Sequence, residues 1–307
     1  MRLEAIETLV PEGRIEIARI IAEAGGLSEE TRAFTGLFGM RSVAAADPKV
    51  GAAGYLMALL DRLDQPPAQD GAQMLFHAHS LPCAKGRMPS LDQLRQHPTL
   101  ANLQDVVDMD QFNCAGMFHA LEAAQLLLGN GMISEALIFA GDCLADWPLA
   151  TRYIPSCTVL GDGYVLLRLS ARAGGVQIGP IATRHYPGFE GGIDGGAQQM
   201  DSYNRAHFGI IADILQAVDH SASGDAIFPH NINGLAWRLY CRQTGHPSAA
   251  VHTSLVPQIG HCCNADPFLV LAQALRDGPV KGTLLSVGMA GFAGAAPISG
   301  TLHPQLC

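Results

Sequence analysis

The sequence lacks the features that mark membrane proteins and nucleic-acid-binding proteins. No run approaches the roughly 18–20 apolar residues of a transmembrane helix, so we expect no membrane span. Lys and Arg number 19 against 28 Asp and Glu, and the net charge of −9 without a basic cluster argues against a nucleic-acid partner. Charged residues make up only 15% of the 307 residues and hydrophobic ones 48%. The chain can therefore bury a large core, either as one α/β domain or as two packed halves.

The eight cysteines form no recognisable disulfide or zinc framework. There is no C-x-x-C pair, and the adjacent Cys262 and Cys263 suit neither a tetrahedral metal site nor an easy disulfide. The segment Met1–Glu7 lacks the basic-then-apolar pattern of an export signal. We therefore expect a cytoplasmic protein with reduced thiols and no structural metal.

One cysteine, Cys114, lies where a predicted strand passes into a predicted helix. Leu103–Met109 is a short apolar strand, and Gly116–Leu128 has apolar residues at helical spacing. The unpaired N–H groups and the dipole at a helix N-terminus favour a thiolate, which is the nucleophilic form of cysteine. Taken alone, however, a free cysteine is more often a small buried hydrophobic residue than a nucleophile.

Strands and helices alternate along the chain, which predicts an α/β fold. Each half contains strand–helix–strand–helix–strand material, and this hints at a diverged duplication. The predicted strands outside the Cys114 segment are Leu3–Leu9, Gln73–Ala78, Glu135–Ala140, Gly175–Ile181, Ala226–Phe228, Ala249–Thr253 and Thr283–Val287, and the segment Thr158–Leu169 is predicted to be a turn that leads into a buried strand. The predicted helices are Arg14–Ala24, Val50–Leu63, Asp201–Val218, Asn233–Gln243 and Ala265–Ala274.

Three further segments place polar residues or glycines at the ends of short apolar strands, where α/β proteins usually form their sites. His230 lies in Ile227–Asn233, and His261 lies in Pro257–Pro267. The glycine-rich segment Gly288–Gly294 can bring backbone N–H groups close to a ligand.

Together these segments resemble the type III β-ketoacyl-acyl-carrier-protein synthases of the thiolase superfamily. The resemblance covers nearly the whole chain and depends on the order of five motifs. The family's Cys-Ala-Gly-Phe, Gly-Asp-Gly, His-Gln-Ala-Asn, Gly-Asn-Thr-Ser and closing glycine turn correspond to Cys114-Ala-Gly-Met-Phe118, Gly161-Asp-Gly163, His230-Asn-Ile-Asn233, Gly260-His-Cys-Cys263 and Gly288-Met-Ala-Gly-Phe292.

The resemblance implies a thiolase-type duplicated α/β fold with five layers, α-β-α-β-α. The first half, residues 1–170, would carry the nucleophilic cysteine. The second half, residues 171–307, would carry the histidines and the glycine loop. It also implies a homodimer that forms through sheet edges of the first halves, with a heterodimer with a related synthase as the alternative.

The resemblance further implies an acyl-enzyme mechanism. Cys114 would attack an acyl thioester, and the N–H groups of Cys114 and Ala290 would form the oxyanion hole. His230 and His261 would be the other catalytic residues. The donor would be acyl-CoA or a phosphopantetheinyl acyl carrier protein, and no cofactor or metal is expected.

Other positions are assigned to substrate binding by the same resemblance. Arg41 and Arg152 correspond to the region near the coenzyme A entrance, Phe118 to the acyl pocket, and Asn233 to the His-Gln-Ala-Asn motif. Arg41 is the better aligned of the two arginines. At helical spacing Phe118 fits the core equally well.

His261 is the main departure, because type III synthases have Asn at this position. A Cys-His-His set resembles the elongating ketosynthases instead, so decarboxylative condensation onto a malonyl thioester in a specialised fatty-acid or polyketide-like pathway is the favoured function. Acyl transfer to an alcohol or amine is the alternative, and a catalytically weak partner subunit of a related synthase is a third.

Overall fold

The computed structural model describes residues 1–63, 71–81 and 88–302. Its strands are β1 Arg2–Leu9, β2 Gly13–Glu16, β3 Ser42–Ala45, β4 Gln73–Ala78, β5 Leu103–Met109, β6 Glu135–Ala140, β7 Tyr153–Ile154, β8 Thr158–Val159, β9 Tyr164–Ser170, β10 Val176–Ile178, β11 Ala182–His185, β12 Ala226–Pro229, β13 Val280–Val287 and β14 Phe292–Gly300. Most of these belong to one large mixed sheet.

The helices cover the sheet and frame the loops at its edge. They are α1 Ile17–Glu23, α2 Ser28–Ala33, α3 Gly51–Leu60, α4 Leu91–Leu94, α5 Gly116–Gly129, α6 Gly196–Gln216, α7 Gly234–Thr244, α8 Val256–Ile259 and α9 Asp266–Asp277. Within the described ranges, no helix combines the length and the hydropathy needed to cross a bilayer.

The large sheet contains ten strands, and its path runs β12-β13-β14-β10-β1-β9-β6-β4-β5, with β11 paired to β14. Every residue of β6 and β9 is buried, because both faces of these central strands are covered. This burial explains why the two strands are continuous apolar runs with few polar interruptions. β10 joins the part of the sheet built from the first half of the chain to the part built from the second.

The strand directions repeat between the two halves. In the first half, β5, β4 and β6 are parallel, and β9 and then β1 follow antiparallel. In the second half, a bridge from Val251 is parallel to β12, β12 is parallel to β13, and β14 and then β11 follow antiparallel. A duplicated α/β unit produces this pattern. The division into residues 1–170 and 171–307 stays a prediction, although β9 does end at Ser170.

Helices α5 and α9 pack in the same apolar cluster, one from each half. Each is preceded by a short 3₁₀ turn, Asn113–Ala115 before α5 and Cys263–Ala265 before α9. Asn113 and Cys263 have φ angles of 50° and 49°, a left-handed conformation that is uncommon for residues other than glycine. The fold thus brings two strained loop-to-helix junctions together.

Asn264 connects these two junctions. Its Oδ1 accepts a hydrogen bond of 2.9 Å from the N–H of Met117, and its Nδ2 donates to the carbonyl oxygen of Asn113 at 3.0 Å. An amide from the second half therefore satisfies backbone groups at the start of α5, the helix of the first half.

Two sequence predictions of secondary structure are wrong in part. Arg14–Ala24 was expected to be helical, yet the helix begins at Ile17 because Gly13–Glu16 pairs with β3. Ala249–Thr253 was expected to be a strand, but only Val251 makes a β-bridge.

The sequence analysis also missed the longest strand, β14. Its residues are mainly Gly and Ala, which have low strand propensity. Eight residue pairs with β13 hold β14 in the sheet, so tertiary pairing overrides its composition.

The motif Gly161-Asp162-Gly163 ties the halves together. The N–H of Gly161 donates to the carbonyl oxygen of His261 at 2.9 Å. The carboxylate of Asp162 accepts hydrogen bonds from the N–H groups of Ala46 and Leu144 at 2.7 and 2.8 Å. Because Gly161 contacts the backbone beside His261 directly, the position has no room for a side chain.

We predict that Gly161→Ala destabilises the protein by about 1–3 kcal/mol or more, the usual cost of overpacking. A Cβ at this position would lie 1.8 Å from the carbonyl oxygen of Ile259, a backbone atom with little freedom to move. Gly36→Ala is the matched control, because a Cβ there meets nothing within 4 Å. Urea unfolding measures both variants, and equal unfolding free energies would contradict the close approach.

Candidate active site

A small cavity of about 50 Å³ lies where the two halves meet. Its walls are mainly apolar. The few polar side chains in the lining include the three residues predicted to be catalytic, Cys114, His230 and His261. The complete lining is Ser80, Leu81, Asn113, Cys114, Ile154, Cys157, Thr158, Leu160, Ile193, His230, Ile232, His261, Cys263, Val287 and Met289. An apolar cavity with a few convergent polar groups is the usual form of a small-molecule site.

Cys114 lies in the 3₁₀ turn before α5 and is only 7% exposed. Its Sγ is 3.3 Å from Nε2 of His261, and the sulfur of Cys263 lies within 4.8 Å of it. The hydroxyl of Ser286 donates to the backbone carbonyl of Cys114 at 2.7 Å, which fixes the turn. The sulfur is thus held beside an imidazole at the wall of the cavity.

His261 is oriented by a buried carboxylate that the sequence analysis did not single out. Nδ1 of His261 lies 2.5 Å from Oδ2 of Asp266, the first residue of α9. The carboxylate also accepts hydrogen bonds from the N–H groups of Cys262 and Asn231, at 2.8 and 2.7 Å. With Nδ1–H donating to Asp266, Nε2 faces the sulfur of Cys114.

The protonation of His261 follows from these neighbours. Burial acts to lower the pKa of His261, but the nearby sulfur of Cys263 and the carboxylate of Asp266 outweigh burial and raise that pKa to about 10. Cys114, His261 and Asp266 therefore form a continuous nucleophile–imidazole–carboxylate chain, the arrangement that activates a thiol or hydroxyl in many unrelated enzymes.

A sequence signal for Asp266 exists but is weak. Asp266 stands five residues after His261 and directly before Pro267, at the start of a predicted helix. An acidic residue at a helix start is usually explained by favourable interaction with the helix dipole, so only the structure reveals its contact with His261.

His230 differs from His261 because its ring has no hydrogen-bond partner among the described residues. It is 1% exposed and packs against the rings of Trp237 and His207, with centroids 5.5 and 5.7 Å away. Burial, together with the nearby His207 and His261, lowers the pKa of His230 well below its ordinary value. His230 is therefore a neutral imidazole whose ring lines the cavity, 6.2 Å from the ring of His261.

Comparison with known proteins gives one relative by sequence. No protein-family model matches the chain. The β-ketoacyl-[acyl-carrier-protein] synthase III of Erythrobacter litoralis (strain HTCC2594) is 25% identical over 191 residues, which span 55% of this chain and 58% of that protein. The matched region is therefore little more than half of the relative.

Solved structures match over the full length. The acyltransferase ChlB3 superposes with a TM-score of 0.79 at 18% identity, over 100% of this chain and 99% of that one. The β-ketoacyl-acyl-carrier-protein synthase III of Thermus thermophilus gives a TM-score of 0.75 at 17% identity, over 99% and 100% of the two chains.

The chain has the thiolase-type fold of the type III ketosynthases. The family resemblance inferred from the five motifs is confirmed, and so is the predicted α/β class. The positions that correspond to type III ketosynthase motifs can now be located in the fold.

The predicted oxyanion donor Ala290 lies in the turn between β13 and β14. The N–H of Gly288 donates to the carbonyl oxygen of Phe292 at 2.7 Å, and the N–H of Gly291 donates to that of Gly288 at 3.0 Å. Met289, directly before Ala290, lines the cavity, whereas Ala290 itself is not part of the lining. The turn thus reaches the site, and the role of Ala290 stays a prediction.

Three of the predicted substrate-binding residues lie away from the cavity lining. Arg152 is buried and donates a hydrogen bond to the carbonyl oxygen of Leu160. Its guanidinium also forms an ion pair of 2.7 Å with Asp162, so its positive charge is neutralised inside the protein. Phe118 is fully buried in the apolar cluster around α5. Asn233 caps α7 by accepting from the N–H of Ala236. These contacts stabilise the fold, and none of the three residues is part of the cavity lining.

Arg41 is the one predicted substrate-binding residue at the surface. Its side chain is exposed, and its backbone N–H donates to the carbonyl oxygen of Pro257 at 2.9 Å. This bond places Arg41 beside α8. Its partner in that helix, Pro257, stands four residues before His261 in the chain. A role in binding the donor thioester stays a prediction.

The buried neutral histidines predict acid sensitivity. Burial lowers the pKa of His207 to about 4, below the ordinary value of 6.5, so the unfolded chain binds the proton more readily. Its contribution to stability is present above about pH 6.5 and is lost as the pH falls towards 4, about 2–3 kcal/mol between pH 7 and 4.5. Urea unfolding at several pH values measures this loss.

His207→Gln is the matched variant, because Gln keeps a polar group beside Tyr203, whose hydroxyl lies 3.1 Å from Nδ1 of His207. We expect the unfolding free energy of this variant to fall less steeply between pH 7 and 4.5 than that of the wild type. Equal slopes for the two proteins would contradict the assignment of a buried neutral His207.

Proposed function

We propose that the protein is an acyltransferase that works through an acyl-enzyme on Cys114. The observation that carries this proposal is the continuous chain Cys114–His261–Asp266 at the wall of an apolar cavity. A buried carboxylate fixes the imidazole, and the imidazole contacts the sulfur. This is the geometry of an activated nucleophile.

The first step loads the acyl group. The thiolate of Cys114 attacks the carbonyl carbon of an acyl thioester, the carbon–sulfur bond of the donor breaks, and the departing thiol takes its proton from the His261 imidazolium. Asp266 holds His261 in place throughout this transfer. The apolar lining of the cavity, which includes Ile154, Leu160 and Val287, suits the hydrocarbon part of an acyl group.

The second step passes the acyl group to an acceptor, and the geometry favours an alcohol or amine. After acylation, Nε2 of His261 is unprotonated and next to the thioester on Cys114. It removes the proton from the acceptor as the acceptor attacks, and it returns that proton to the sulfur of Cys114 as the thioester breaks. The hydrogen bond to Asp266 stabilises the imidazolium formed in between. The name of the superposed structure ChlB3, an acyltransferase, is consistent with this step.

Decarboxylative condensation is the second candidate, and the ring of His230 supports it. In that route a malonyl thioester loses carbon dioxide, and the resulting carbanion attacks the acyl carbon on Cys114, while the bond from that carbon to the sulfur breaks and releases the Cys114 thiolate. The enolate oxygen then needs hydrogen-bond donors. The neutral, unpartnered imidazole of His230 would supply one N–H. The curated relative, named β-ketoacyl-[acyl-carrier-protein] synthase III, is consistent with this route.

The donor and the assembly are part of the same proposal. Acyl-CoA and phosphopantetheinyl carrier protein both present a thioester on a long arm, and we propose that the exposed side chain of Arg41 contacts either one. For the assembly we propose a homodimer through β5. Among the described residues, this strand pairs with β4 alone in the sheet order and presents several exposed residues, and we propose that this edge meets a second copy.

We predict that Cys114 gains one acyl group when the protein is incubated with acyl-CoA or an acyl carrier thioester, because its sulfur contacts an oriented imidazole. Intact-mass measurement detects the added mass, and Cys114→Ala should show none. Cys157→Ala is the matched control, since Cys157 also lines the cavity but burial raises the pKa of its thiol to about 12. Acylation of Cys114→Ala to the wild-type extent would remove the enzyme proposal and favour a partner-subunit role.

We predict that His261→Asn separates the two acceptors. Loss of the general base should slow transfer to an alcohol or amine by about 10²–10⁴-fold, whereas condensation should survive because Asn still donates a hydrogen bond. Single-turnover assays that start from the acyl-enzyme and add either malonyl thioester or a small alcohol or amine measure both rates. Unchanged transfer to oxygen or nitrogen would refute the base role of His261.

A further inference from the structure

The candidate site contains one reactive side chain that the proposed mechanism does not use. Cys263 lines the cavity and is only 3% exposed. The ligand atoms of Cys114, His261 and Cys263 all lie within 4.8 Å of one another. The acyl-transfer steps require only Cys114, His261 and Asp266, so the position of Cys263 needs a separate explanation.

We propose that Cys114, His261 and Cys263 form a binding site for a thiophilic divalent cation such as Zn²⁺. Two sulfurs and one imidazole nitrogen are ligands that zinc prefers, and three protein ligands leave a fourth, open position. Here that position faces the cavity, where a water molecule or a ligand atom can complete a tetrahedron.

The spacing of the three ligand atoms, all within 4.8 Å of one another, is compatible with one bound cation. Zn–S bonds of about 2.3 Å and Zn–N bonds of about 2.0–2.1 Å place tetrahedral ligand atoms roughly 3.5–3.8 Å apart. The Sγ of Cys114 is already 3.3 Å from Nε2 of His261. A disulfide between the two cysteines would instead require their sulfurs to approach to about 2.05 Å.

The surroundings of His261 match those of a metal ligand. A histidine that binds a metal through one nitrogen usually donates its other N–H to a carboxylate, which fixes the ring. Nδ1 of His261 has this contact with Asp266, and the carboxylate is in turn held by two backbone N–H groups. No metal was expected from the sequence because it has no C-x-x-C pair and because the adjacent Cys262 and Cys263 do not suit a tetrahedral site; the fold instead pairs Cys263 with the distant Cys114.

Metal binding would switch the site off. A cation bound to the sulfur of Cys114 occupies the electron pair that attacks a thioester. Two protons, one from the Cys114–His261 pair and one from the thiol of Cys263, pass to solvent as the metal binds. The cation and the acyl group therefore exclude each other. This mutual exclusion depends on the proposed function, whereas metal binding itself does not.

Titration of the untagged, reduced protein with Co²⁺ tests the proposal. Cobalt occupies zinc sites, and its thiolate charge-transfer and ligand-field absorption bands report on sulfur ligands and coordination number. We expect one equivalent to bind with four-coordinate, thiolate-containing spectra, and Zn²⁺ to displace it. Cys263→Ala should weaken Co²⁺ binding by more than about 100-fold, beyond the loss typical of a residue that merely supports a ligand.

Cys262→Ala is the matched control. It makes the same chemical change one residue away, but the sulfur of Cys262 contacts the carbonyl oxygen of Ile259 instead of Cys114. Circular dichroism checks that both variants fold. As a second measurement, Zn²⁺ should protect Cys114 from alkylation in the wild type and in Cys262→Ala, but not in Cys263→Ala.

The outcomes separate this inference from the proposed function. Absence of thiolate-to-cobalt bands in the wild type, or equal binding by Cys263→Ala and Cys262→Ala, would overturn the metal site even if Cys114 is acylated. Cobalt binding to a protein that never forms an acyl-enzyme would support the metal site and refute the acyltransferase.

Discussion

The hydrogen bond between Asp266 and His261 is the interaction on which the rest of the site depends. A buried carboxylate is expensive unless its oxygens are satisfied, and here two backbone N–H groups and the imidazole satisfy them. The carboxylate also fixes the orientation of the His261 ring. As a result, Nε2 of His261 contacts the sulfur of Cys114 across the boundary between the halves. Without Asp266, Nδ1 of His261 would lose its partner and the ring would no longer be held in this orientation.

The duplicated α/β architecture explains how these groups come together. Each half ends a strand at the same region and begins a helix there, α5 after Cys114 and α9 after Cys263. Asn264 caps the helix of the opposite half, so the two junctions are linked by hydrogen bonds. The same proximity that gives Cys114 its imidazole also places Cys263 beside it. The acyl chemistry and the metal affinity that we propose thus depend on one arrangement.

The sequence supports the prediction of the fold and of part of the site. The order of the motifs around Cys114, His230 and His261 was enough to predict the family, and these three residues do meet at one cavity. Local periodicity predicted the buried strands and the long helices because a strongly amphipathic or apolar segment has few alternative structures. β14 was missed because sheet pairing, and not composition, determines it.

The contacts of individual side chains were harder to predict. Arg152 has the charge expected of a substrate-binding residue, but the buried carboxylate of Asp162 pairs with it. Asp266 has the position of an ordinary helix-start residue, but it contacts His261. In both cases the partner is chosen by the packing of loops, and a sequence pattern carries little information about such packing.

The decay of the acyl-enzyme in the presence of an alcohol or amine acceptor tests the central claim most directly, when wild type and Asp266→Asn are compared by rapid quench and intact mass. Asp277→Asn, an exposed change at the other end of α9, is the control. The account predicts that Asp266→Asn still forms acyl-Cys114 but transfers it about 10²–10⁴-fold more slowly, because His261 loses its orienting carboxylate. Transfer at the wild-type rate in Asp266→Asn would contradict the account.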